Sequence, residues 1–245
     1  MTNYPSHGLF ITGTDTEIGK TYVTALIAKA LVASGRRVGV YKPAASGCSW
    51  EGERLVSDDA RALWEAAGRP ETLEMVCPQL FEAPLAPHLA ARAEGKELDE
   101  DLLRAGAARW TGKCDVLLVE GAGGLMSPLG EEEYNADLAF DLGYPLVVVA
   151  PNILGVINQT LQTLITAATF REGLDIAGVV LNDVVERDDD VSTGSNRREL
   201  EKRCVPPVLA HVKHGATSIE QVSDWALALV SRKALAAGFV RENVT

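Results

Sequence analysis

Uninterrupted apolar runs, separated by segments with helical spacing, most strongly constrain how this chain can fold. Val116–Val119 and Leu146–Val149 contain no polar side chain, which is typical of strands covered on both faces of a parallel sheet. Gly8–Thr12, Val38–Tyr41 and Ala177–Leu181 are predicted as further strands. The alternation of these strands with helices predicts an α/β fold with a doubly wound, mainly parallel sheet and helices on both faces.

The predicted helices have apolar residues that recur every three or four positions. They cover Val23–Leu31, Asp59–Ala67, Asp99–Trp110, Gly155–Phe170 and Ile219–Val230. The proline-rich stretch Gly68–Gly95 is expected to be irregular. No repeat, low-complexity linker or change of composition divides the chain, so a single domain over residues 1–245 is expected.

The net negative charge of the chain limits which classes of molecule it is expected to bind. The 245 residues include 23 Lys and Arg against 34 Asp and Glu, a formal net charge of −11, and 47% of them are hydrophobic. That apolar fraction is typical of a globular chain rather than a disordered one. Nucleic acids and anionic membrane surfaces attract positive charge, so neither is an expected partner. A small anion in a local site is compatible with this charge.

The cysteines and the apolar segments favour a cytoplasmic location. The four cysteines lie far apart in the sequence, which indicates free thiols in a reducing compartment rather than disulfides or a zinc site. Met1–His7 lacks the basic and apolar character of a signal peptide. Leu142–Phe170 contains no charged residue, but its prolines and polar side chains make it unsuitable as a membrane span.

The strongest local signal of function is Gly13–Thr21, between the first strand and the first helix. Glycines let the backbone turn so that successive N–H groups converge on an anion, and the start of a helix adds partial positive charge. Lys20 adds a full charge, and the Thr21 hydroxyl is a suitable ligand for Mg²⁺. The spacing departs from the strict pattern, because Thr14 occupies the place of the first glycine. The strand–loop–helix context favours a phosphate-binding loop over a chance Gly19-Lys20-Thr21 sequence.

Polar residues follow three further strands at the same edge of the predicted sheet. Lys42 follows the second strand, Glu120 follows Val116–Val119, and Asn182 follows Ala177–Leu181. Ligands of open parallel sheets bind at the carboxyl ends of the strands. We therefore expect these side chains to form one site with the phosphate loop.

Each of these candidates also has a purely structural interpretation. Glu120 is either an acidic residue that holds Mg²⁺ or a solvated turn carboxylate. Gly121–Gly124 either admits a ligand close to the backbone or forms a tight turn. Lys42 is either an anion holder or a lysine that extends from a strand end into solvent. Asp58 and Asp59 begin a helix, where interaction with the helix dipole is the more common role and metal binding the rarer one.

Taken together, the motifs of this chain closely resemble those of the dethiobiotin synthetase family. The matching stretches run in order from the first strand to beyond residue 180. They are Thr12–Thr21, Tyr41–Gly47, Asp59–Leu63, Pro84–His88, Val119–Gly124, Gly155–Asn158 and Asn182-Asp183. The loop alone indicates only the wider class of phosphate-loop proteins, whereas its combination with Tyr41–Gly47 and Val119–Gly124 is specific.

The resemblance implies a phosphate-loop fold and an ATP- and Mg²⁺-dependent ligase. The implied reaction closes the ureido ring of dethiobiotin from 7,8-diaminopelargonate and CO₂, through a carbamate and a carbamic–phosphoric anhydride. In this family the substrate site lies across a homodimer interface, so Gly155–Asn158 is expected to come from the partner chain. The implied partners are therefore small molecules and a second copy of the chain, without nucleic acid or membrane.

The same resemblance implies roles for individual residues. The implied catalytic residues are Lys20, Lys42 and Glu17. The diamine or its carbamate would contact Thr16, Lys42, Ser46 and Asn158, and Mg²⁺ would be held by Thr21, Asp59 and Glu120. The implied nucleotide contacts are Gly13, Thr14, Asp15, Glu17, Ile18, Gly19, Lys20, Thr21, Asp59, Glu120, Gly121, Gly123 and, at the base, Asn182.

Two departures from the family pattern and one rival class accompany this resemblance. Ala86 stands where the family has a serine, and Val212-Lys213 replaces the usual Ile-Pro pair near the base pocket. The rival is a partner-switching ATPase of the partitioning or septum-placement type. Those proteins carry a second lysine early in the phosphate loop, where Thr14 and Asp15 stand here. This difference favours the ligase.

Overall fold

Parallel strands form the central sheet of this protein, for which a computed structural model describes residues 4–186 and 190–219. In chain order the strands of this part are β1 (Gly8–Gly13), β2 (Val38–Tyr41), β3 (Ser49–Glu51), β4 (Arg54–Val56), β5 (Val116–Gly124), β6 (Leu146–Pro151), β7 (Ile176–Asn182) and β8 (Val208–Val212). The sheet has the order β2-β5-β1-β6-β7-β8 with parallel neighbours, and β3 and β4 form a separate antiparallel hairpin. Every residue of β1, β2 and β6 is buried, so both faces of the sheet are covered.

Helices connect the strands. They are α1 (Lys20–Ala33), α2 (Asp58–Ala66), α3 (Leu73–Val76), α4 (Pro87–Ala93), α5 (Glu100–Ala108), α6 (Asn135–Leu142), α7 (Val156–Thr169) and α8 (Thr193–Arg203). The predicted α/β fold with a mainly parallel sheet is confirmed, and α1, α2, α5 and α7 correspond to predicted helices. The predicted helix from Ile219 to Val230 lies, after its first residue, outside the described residues. The single domain over residues 1–245 stays a prediction.

The structure corrects the prediction for the glycine-rich segment. β5 does not end at Val119 but continues through Glu120 to Gly124, so the tight-turn interpretation of Gly121–Gly124 is wrong. The pairing with β1 shifts within this stretch, from Ile11 opposite Glu120 to Gly13 opposite Gly124. Residues without side chains allow such a bulge where another backbone comes close. The bulge lies directly beside the phosphate loop.

Several elements have no counterpart in the sequence prediction: β3, β4, β8, α3, α4, α6 and α8. Most are short, and α8 is so polar that it has no apolar stripe. The expectation of an irregular Gly68–Gly95 is wrong in part, because α3 and α4 lie within it. Pro87 starts α4 in the first turn, where its missing N–H is no loss. Within the described residues, no helix has the length and apolar character needed to cross a membrane.

A buried aromatic side chain connects the core to the site. Tyr41, the last residue of β2, is fully buried. Its O–H donates a hydrogen bond to the Leu102 carbonyl of α5 at 2.9 Å. Because the next residue is Lys42, that lysine starts from a backbone position fixed by the core.

Candidate active site

Neighbouring strands hold the loop between β1 and α1 at both ends. Thr14 N donates to the Val149 carbonyl of β6 at 3.0 Å, and Asn182 Nδ2 at the end of β7 donates to the Ile18 carbonyl at 2.9 Å. Gly19 precedes α1 with a φ of 82°, in the left-handed region that favours glycine. A β-carbon at Gly19 would overlap Asn182 Nδ2. The loop therefore has a defined shape in front of the first N–H groups of α1.

The loop combines a strained backbone at Glu17 with a buried cation at Lys20. Glu17 has a φ of 56°, a left-handed conformation that costs a non-glycine residue about 1–2 kcal/mol. Lys20 Nζ donates to the Asp15 carbonyl at 3.0 Å, so the lysine folds over the loop, and its side chain is buried. Burial lowers the pKa of Lys20, and the Glu120 carboxylate opposes this effect. A poorly solvated ammonium group at a helix start is a strong electrostatic partner for phosphate.

Glu120 and Lys42 form the buried centre of the site. Glu120 is 0% exposed, and its Oε1 accepts hydrogen bonds from Lys42 Nζ and Thr21 Oγ1, each at 2.8 Å. Lys42 is 5% exposed, and its Nζ also lies 3.0 Å from Asp59 Oδ2. Glu120 is therefore not a solvated turn carboxylate, and Lys42 does not extend into solvent.

The charges of this cluster support one another. Burial by itself lowers the pKa of Lys42, but the Glu120 and Asp59 carboxylates outweigh it, so the pKa is raised. For Asp59, burial by itself raises the pKa, but the Lys42 ammonium outweighs it, so the pKa is lowered. Lys42 is consequently cationic and Asp59 anionic near neutral pH.

The fold explains why these side chains meet. Tyr41 of β2 pairs with Val119 of β5, so the residues that follow them, Lys42 and Glu120, are neighbours on adjacent parallel strands. Lys42 N donates to the Val76 carbonyl at 2.8 Å, which anchors the lysine backbone on α3. Asp59 lies in the first turn of α2, the helix capped by the Ser57 side chain.

Thr21, Asp59 and Glu120 form an oxygen donor set suited to Mg²⁺. Thr21 Oγ1 donates to Glu120 Oε1 at 2.8 Å, and after the Lys42 ammonium the Thr21 side chain also helps to lower the pKa of the Asp59 carboxyl. Magnesium is usually bound through one or two carboxylates together with phosphate oxygens and water. The three residues fit a Mg²⁺ ion bound with a nucleotide. In this structure the Lys42 ammonium provides the positive charge between the two carboxylates.

A cleft of about 900 Å³ opens beside this cluster, a volume in the range of small-molecule sites. The predicted site residues that line it are Thr16, Glu17, Gly19, Lys20, Thr21, Lys42, Ser46, Asp59 and Gly123. The Pro84–Pro87 segment forms part of the opposite lining and includes Ala86. The structure thus brings the phosphate loop and the predicted substrate contacts Thr16, Lys42 and Ser46 to one concave surface.

The remaining predicted residues do not line this cleft. Four are buried behind it: Gly13, Glu120, Gly121 and Asn182. Asp15 and Ile18 line an adjoining pocket of about 240 Å³ that shares Thr16 and Glu17 with the cleft. Thr14 lines another pocket, of about 380 Å³. Asn158 is exposed on α7 and does not line the cleft.

Two residues of the site were missed by sequence reasoning. Asn135 of α6 is fully buried, and its Nδ2 donates to the Ala122 and Gly124 carbonyls at 2.6 and 2.8 Å, which holds the end of β5 in place. No local pattern connects Asn135 with β5. Thr24 Oγ1 donates to Glu120 Oε2 at 2.8 Å. The sequence contains a signal for Thr24, because this residue lies one turn after Thr21 on the same face of α1.

A polar cluster next to Asn182 contains the departure at Val212-Lys213. Asp183 Oδ1 accepts from Asn152 Nδ2 at 2.7 Å and lies 2.8 Å from His211 Nε2. Lys213 Nζ lies 3.3 Å from Asp183 Oδ2. Burial by itself raises the pKa of Asp183, but the hydrogen bonds to His211 and Asn152 outweigh it and the pKa is lowered. The substituted lysine is thus paired with a carboxylate beside the predicted base contact.

Comparison with known proteins identifies sequence relatives over most of the chain. Residues 7–221 match a family described as an AAA domain. An ATP-dependent dethiobiotin synthetase of Rhodopirellula baltica is 43% identical over 216 residues, which cover 83% of this chain and 83% of that protein. The enzyme of the same name from Anaeromyxobacter dehalogenans is 46% identical over 182 residues, 74% of this chain and 79% of that protein. The dethiobiotin synthetase of Bacillus subtilis is 36% identical over 202 residues, which cover 82% of this chain and 85% of that protein.

Solved structures with a similar fold are more distant in sequence. A ParA family ATPase from Chlorobium tepidum has a TM-score of 0.53 and 14% sequence identity, with 95% of this chain and 93% of that chain covered. At that identity the likeness concerns the fold alone. It agrees with the parallel sheet described above.

Proposed function

This chain belongs to the family of ATP-dependent dethiobiotin synthetases, and from this membership we propose that it closes the ureido ring of dethiobiotin from 7,8-diaminopelargonate, CO₂ and ATP. It is a ligase of biotin biosynthesis. The observation that carries the assignment of the site is the convergence of Lys20, Lys42 and Glu120 at one edge of a cleft. Two buried ammonium groups beside a phosphate loop suit a reaction whose reactants and intermediates are anions.

The reaction proceeds in three steps. One amine of the substrate adds to CO₂ and loses a proton, which gives a carbamate. A carbamate oxygen attacks the γ-phosphorus of ATP, ADP leaves, and a carbamic–phosphoric anhydride forms. The second amine then attacks the carbamoyl carbon and loses a proton, and phosphate leaves as the ring closes. Positioning and charge neutralisation are the main demands on the protein.

Different residues of the cleft bind the phosphates of ATP and the carbamate. The loop N–H groups and Lys20 bind the phosphates of ATP. Lys42, with Ser46 and Thr16, binds the carbamate, and Glu17 lines the reaction centre. At about 4 Å, an ammonium contributes on the order of 4 kcal/mol to holding an anion at an effective dielectric constant of 20. Lys42 is therefore well placed to orient the carbamate toward the γ-phosphate.

Thr21, Asp59 and Glu120 would hold Mg²⁺, which when bound supplies charge neutralisation at the phosphates. Asn182 is assigned to the base. Its Nδ2 is engaged by the Ile18 carbonyl, and its buried Oδ1 has no hydrogen-bond partner among the described residues. An unpartnered amide oxygen has the acceptor chemistry that suits the exocyclic amine of adenine, although it lies behind the cleft and not on its lining.

The direct test is an assay with purified protein, diaminopelargonate, bicarbonate, Mg²⁺ and ATP. We expect dethiobiotin, ADP and phosphate in equal amounts, detected by mass spectrometry and a coupled ADP assay. ATP hydrolysis that does not depend on the diamine would instead favour a partner-switching ATPase. Absence of dethiobiotin with every nucleotide tested would contradict the proposal.

We also propose a homodimer that uses the exposed face of α7. Leu154, which precedes α7, and Ile165 of α7 are 80% and 63% exposed, and the segment from Leu142 to Phe170 has no charged residue. Exposed apolar side chains on an uncharged face are typical of an interface. Asn158 is an exposed residue of α7 that does not line the cleft of its own chain, so it is available to the cleft of a partner. The four free cysteines agree with a cytoplasmic location.

Leu154→Asp is expected to convert the dimer into monomers and to reduce dethiobiotin formation at the same protein concentration. A carboxylate placed in an apolar interface has no partner and loses hydration. Sedimentation velocity gives the oligomeric state. Val205→Asp is the matched control, because Val205 is 99% exposed and precedes β8 rather than α7. A dimeric Leu154→Asp protein would contradict the assignment of this face.

A further inference from the structure

Thr24 is a buried polar residue of α1 that the proposed reaction does not use. It is 0% exposed, one helical turn beyond the phosphate loop. Its Oγ1 lies 2.8 Å from Glu120 Oε2 and 2.8 Å from the Lys20 carbonyl. A hydroxyl has one proton to donate, and the carboxylate is the stronger acceptor. The contact to Glu120 is therefore the one that matters for the site.

The two oxygens of Glu120 have different surroundings. Oε1 faces Thr21 and Lys42, on the side of the cleft, and accepts a hydrogen bond from each. Oε2 faces into α1, and Thr24 is the donor that the described part of the chain offers to it. Without that donor, Oε2 would be a buried carboxylate oxygen lacking a hydrogen bond, and rotation of the carboxylate would expose it to other donors at the expense of Oε1.

We propose that Thr24 is a positioning residue for the metal-binding carboxylate. By holding Oε2 against α1, it keeps Oε1 directed at Thr21 and the cleft before nucleotide arrives. The proposal rests on the proposed function in one respect, the assignment of Glu120 to Mg²⁺. Partners of metal-ligating carboxylates typically affect metal affinity 10- to 100-fold, and Thr24 has the geometry of such a partner.

Three variants separate positioning from simple packing. Thr24→Val keeps the shape of the side chain and removes the hydroxyl, whereas Thr24→Ser keeps the hydroxyl and removes a methyl group. Thr160→Val is the matched control: Thr160 is a fully buried threonine of α7 whose hydroxyl has no hydrogen-bond partner among the described residues. A role in packing predicts the larger effect for Thr24→Ser, and a role through the hydroxyl predicts it for Thr24→Val.

The measurement is the affinity of the protein–ADP complex for Mn²⁺, followed by electron paramagnetic resonance, with Mg²⁺ as competitor. We expect Thr24→Val to weaken metal binding at least about tenfold, and Thr24→Ser and Thr160→Val to stay within twofold of the unmodified protein. ADP affinity in EDTA should be unchanged in all three variants. Thermal melting verifies that each variant is folded.

Two results would overturn the proposal. One is a folded Thr24→Val protein with unaltered metal affinity. The other is a loss of metal affinity in Thr24→Ser as large as that in Thr24→Val. Because no diamine is present, the experiment is independent of the ligase reaction. Normal metal binding in a protein that makes no dethiobiotin would count against the proposed function and not against the role of Thr24.

Discussion

Lys42→Met is expected to reduce the rate of dethiobiotin formation by roughly 100- to 1,000-fold, the range found when one preorganised donor is removed from a reaction centre. The unbranched methionine fills a similar volume without the charge. ATP binding should change little, because the loop N–H groups and Lys20 remain. Turnover at saturating substrate and ATP affinity by equilibrium dialysis measure the two effects separately.

The same variant should respond unusually to metal. Lys42 Nζ lies between Glu120 Oε1 and Asp59 Oδ2, at 2.8 and 3.0 Å. Its removal leaves a buried carboxylate without its counter-charge, a change that destabilises proteins by about 3–5 kcal/mol. Mg²⁺ with ADP can replace the missing charge, so these ligands should raise the melting temperature of the variant more than that of the unmodified protein.

Lys113→Met is the control for the loss of a lysine. Lys113 is paired with Glu71 at 2.9 Å, but it is 42% exposed, and surface pairs of this kind contribute about 0–1 kcal/mol. It should leave turnover and the response to Mg²⁺ unaltered. Retention of more than a tenth of the activity in Lys42→Met would show that the lysine does not orient the carbamate.

Gly19→Ala is expected to abolish measurable ATP binding and to destabilise the protein by roughly 2–5 kcal/mol. A left-handed backbone costs a non-glycine residue about 1–2 kcal/mol. The added methyl group would also overlap Asn182 Nδ2, and forcing such an overlap costs about another 1–3 kcal/mol. Relief of the overlap requires movement of either Asn182 or the Ile18–Lys20 backbone, and both changes disrupt the loop.

Gly35→Ala separates the two contributions. Gly35 has a φ of 84°, nearly that of Gly19, but a β-carbon there would meet nothing within 4 Å. The Gly35→Ala protein should therefore be destabilised only by the cost of a left-handed backbone, about 1–2 kcal/mol, and should bind ATP normally. Urea unfolding without nucleotide gives the free energy of unfolding, and calorimetric titration gives ATP affinity. Equal effects of the two substitutions would rule out the contact between Gly19 and Asn182 as the cause.

The parts of the fold that could be predicted are those with an unambiguous apolar pattern. β6 is a continuous apolar run and β1 is apolar except for Thr12, and α7 repeats apolar residues at helical spacing. α8 could not be found in this way, because its surface is almost entirely polar. β5 was predicted too short since glycines have low strand propensity, and only pairing with β1 extends the strand to Gly124.

The sequence predicts which residue types form the site better than it predicts the distances between them. The rule for parallel sheets located Lys42, Glu120 and Asn182 at one edge, and the structure has them there. Sequence alone favoured a helix-dipole role for Asp59, because its distance of 3.0 Å from Lys42 depends on how α2 packs. The burial of Glu120 and its bond to Thr24 likewise depend on the packing of α1 against β5. The assignment of these residues to ATP, Mg²⁺ and the diamine stays a prediction.

During synthesis, β1 leaves the ribosome long before the strands that flank it in the sheet. Leu9 pairs with Leu118 of β5, and Phe10 pairs with Leu146 of β6. A growing chain extends by about 5–20 residues per second. The strands that pair with β1 are therefore synthesised on the order of ten seconds after it. The contacts that hold the phosphate loop form later still, because they involve Val149 and Asn182. We therefore expect the first strand of a nascent chain to remain unpaired for longer than it takes to synthesise, and the phosphate loop to reach its final shape only after β7 has emerged.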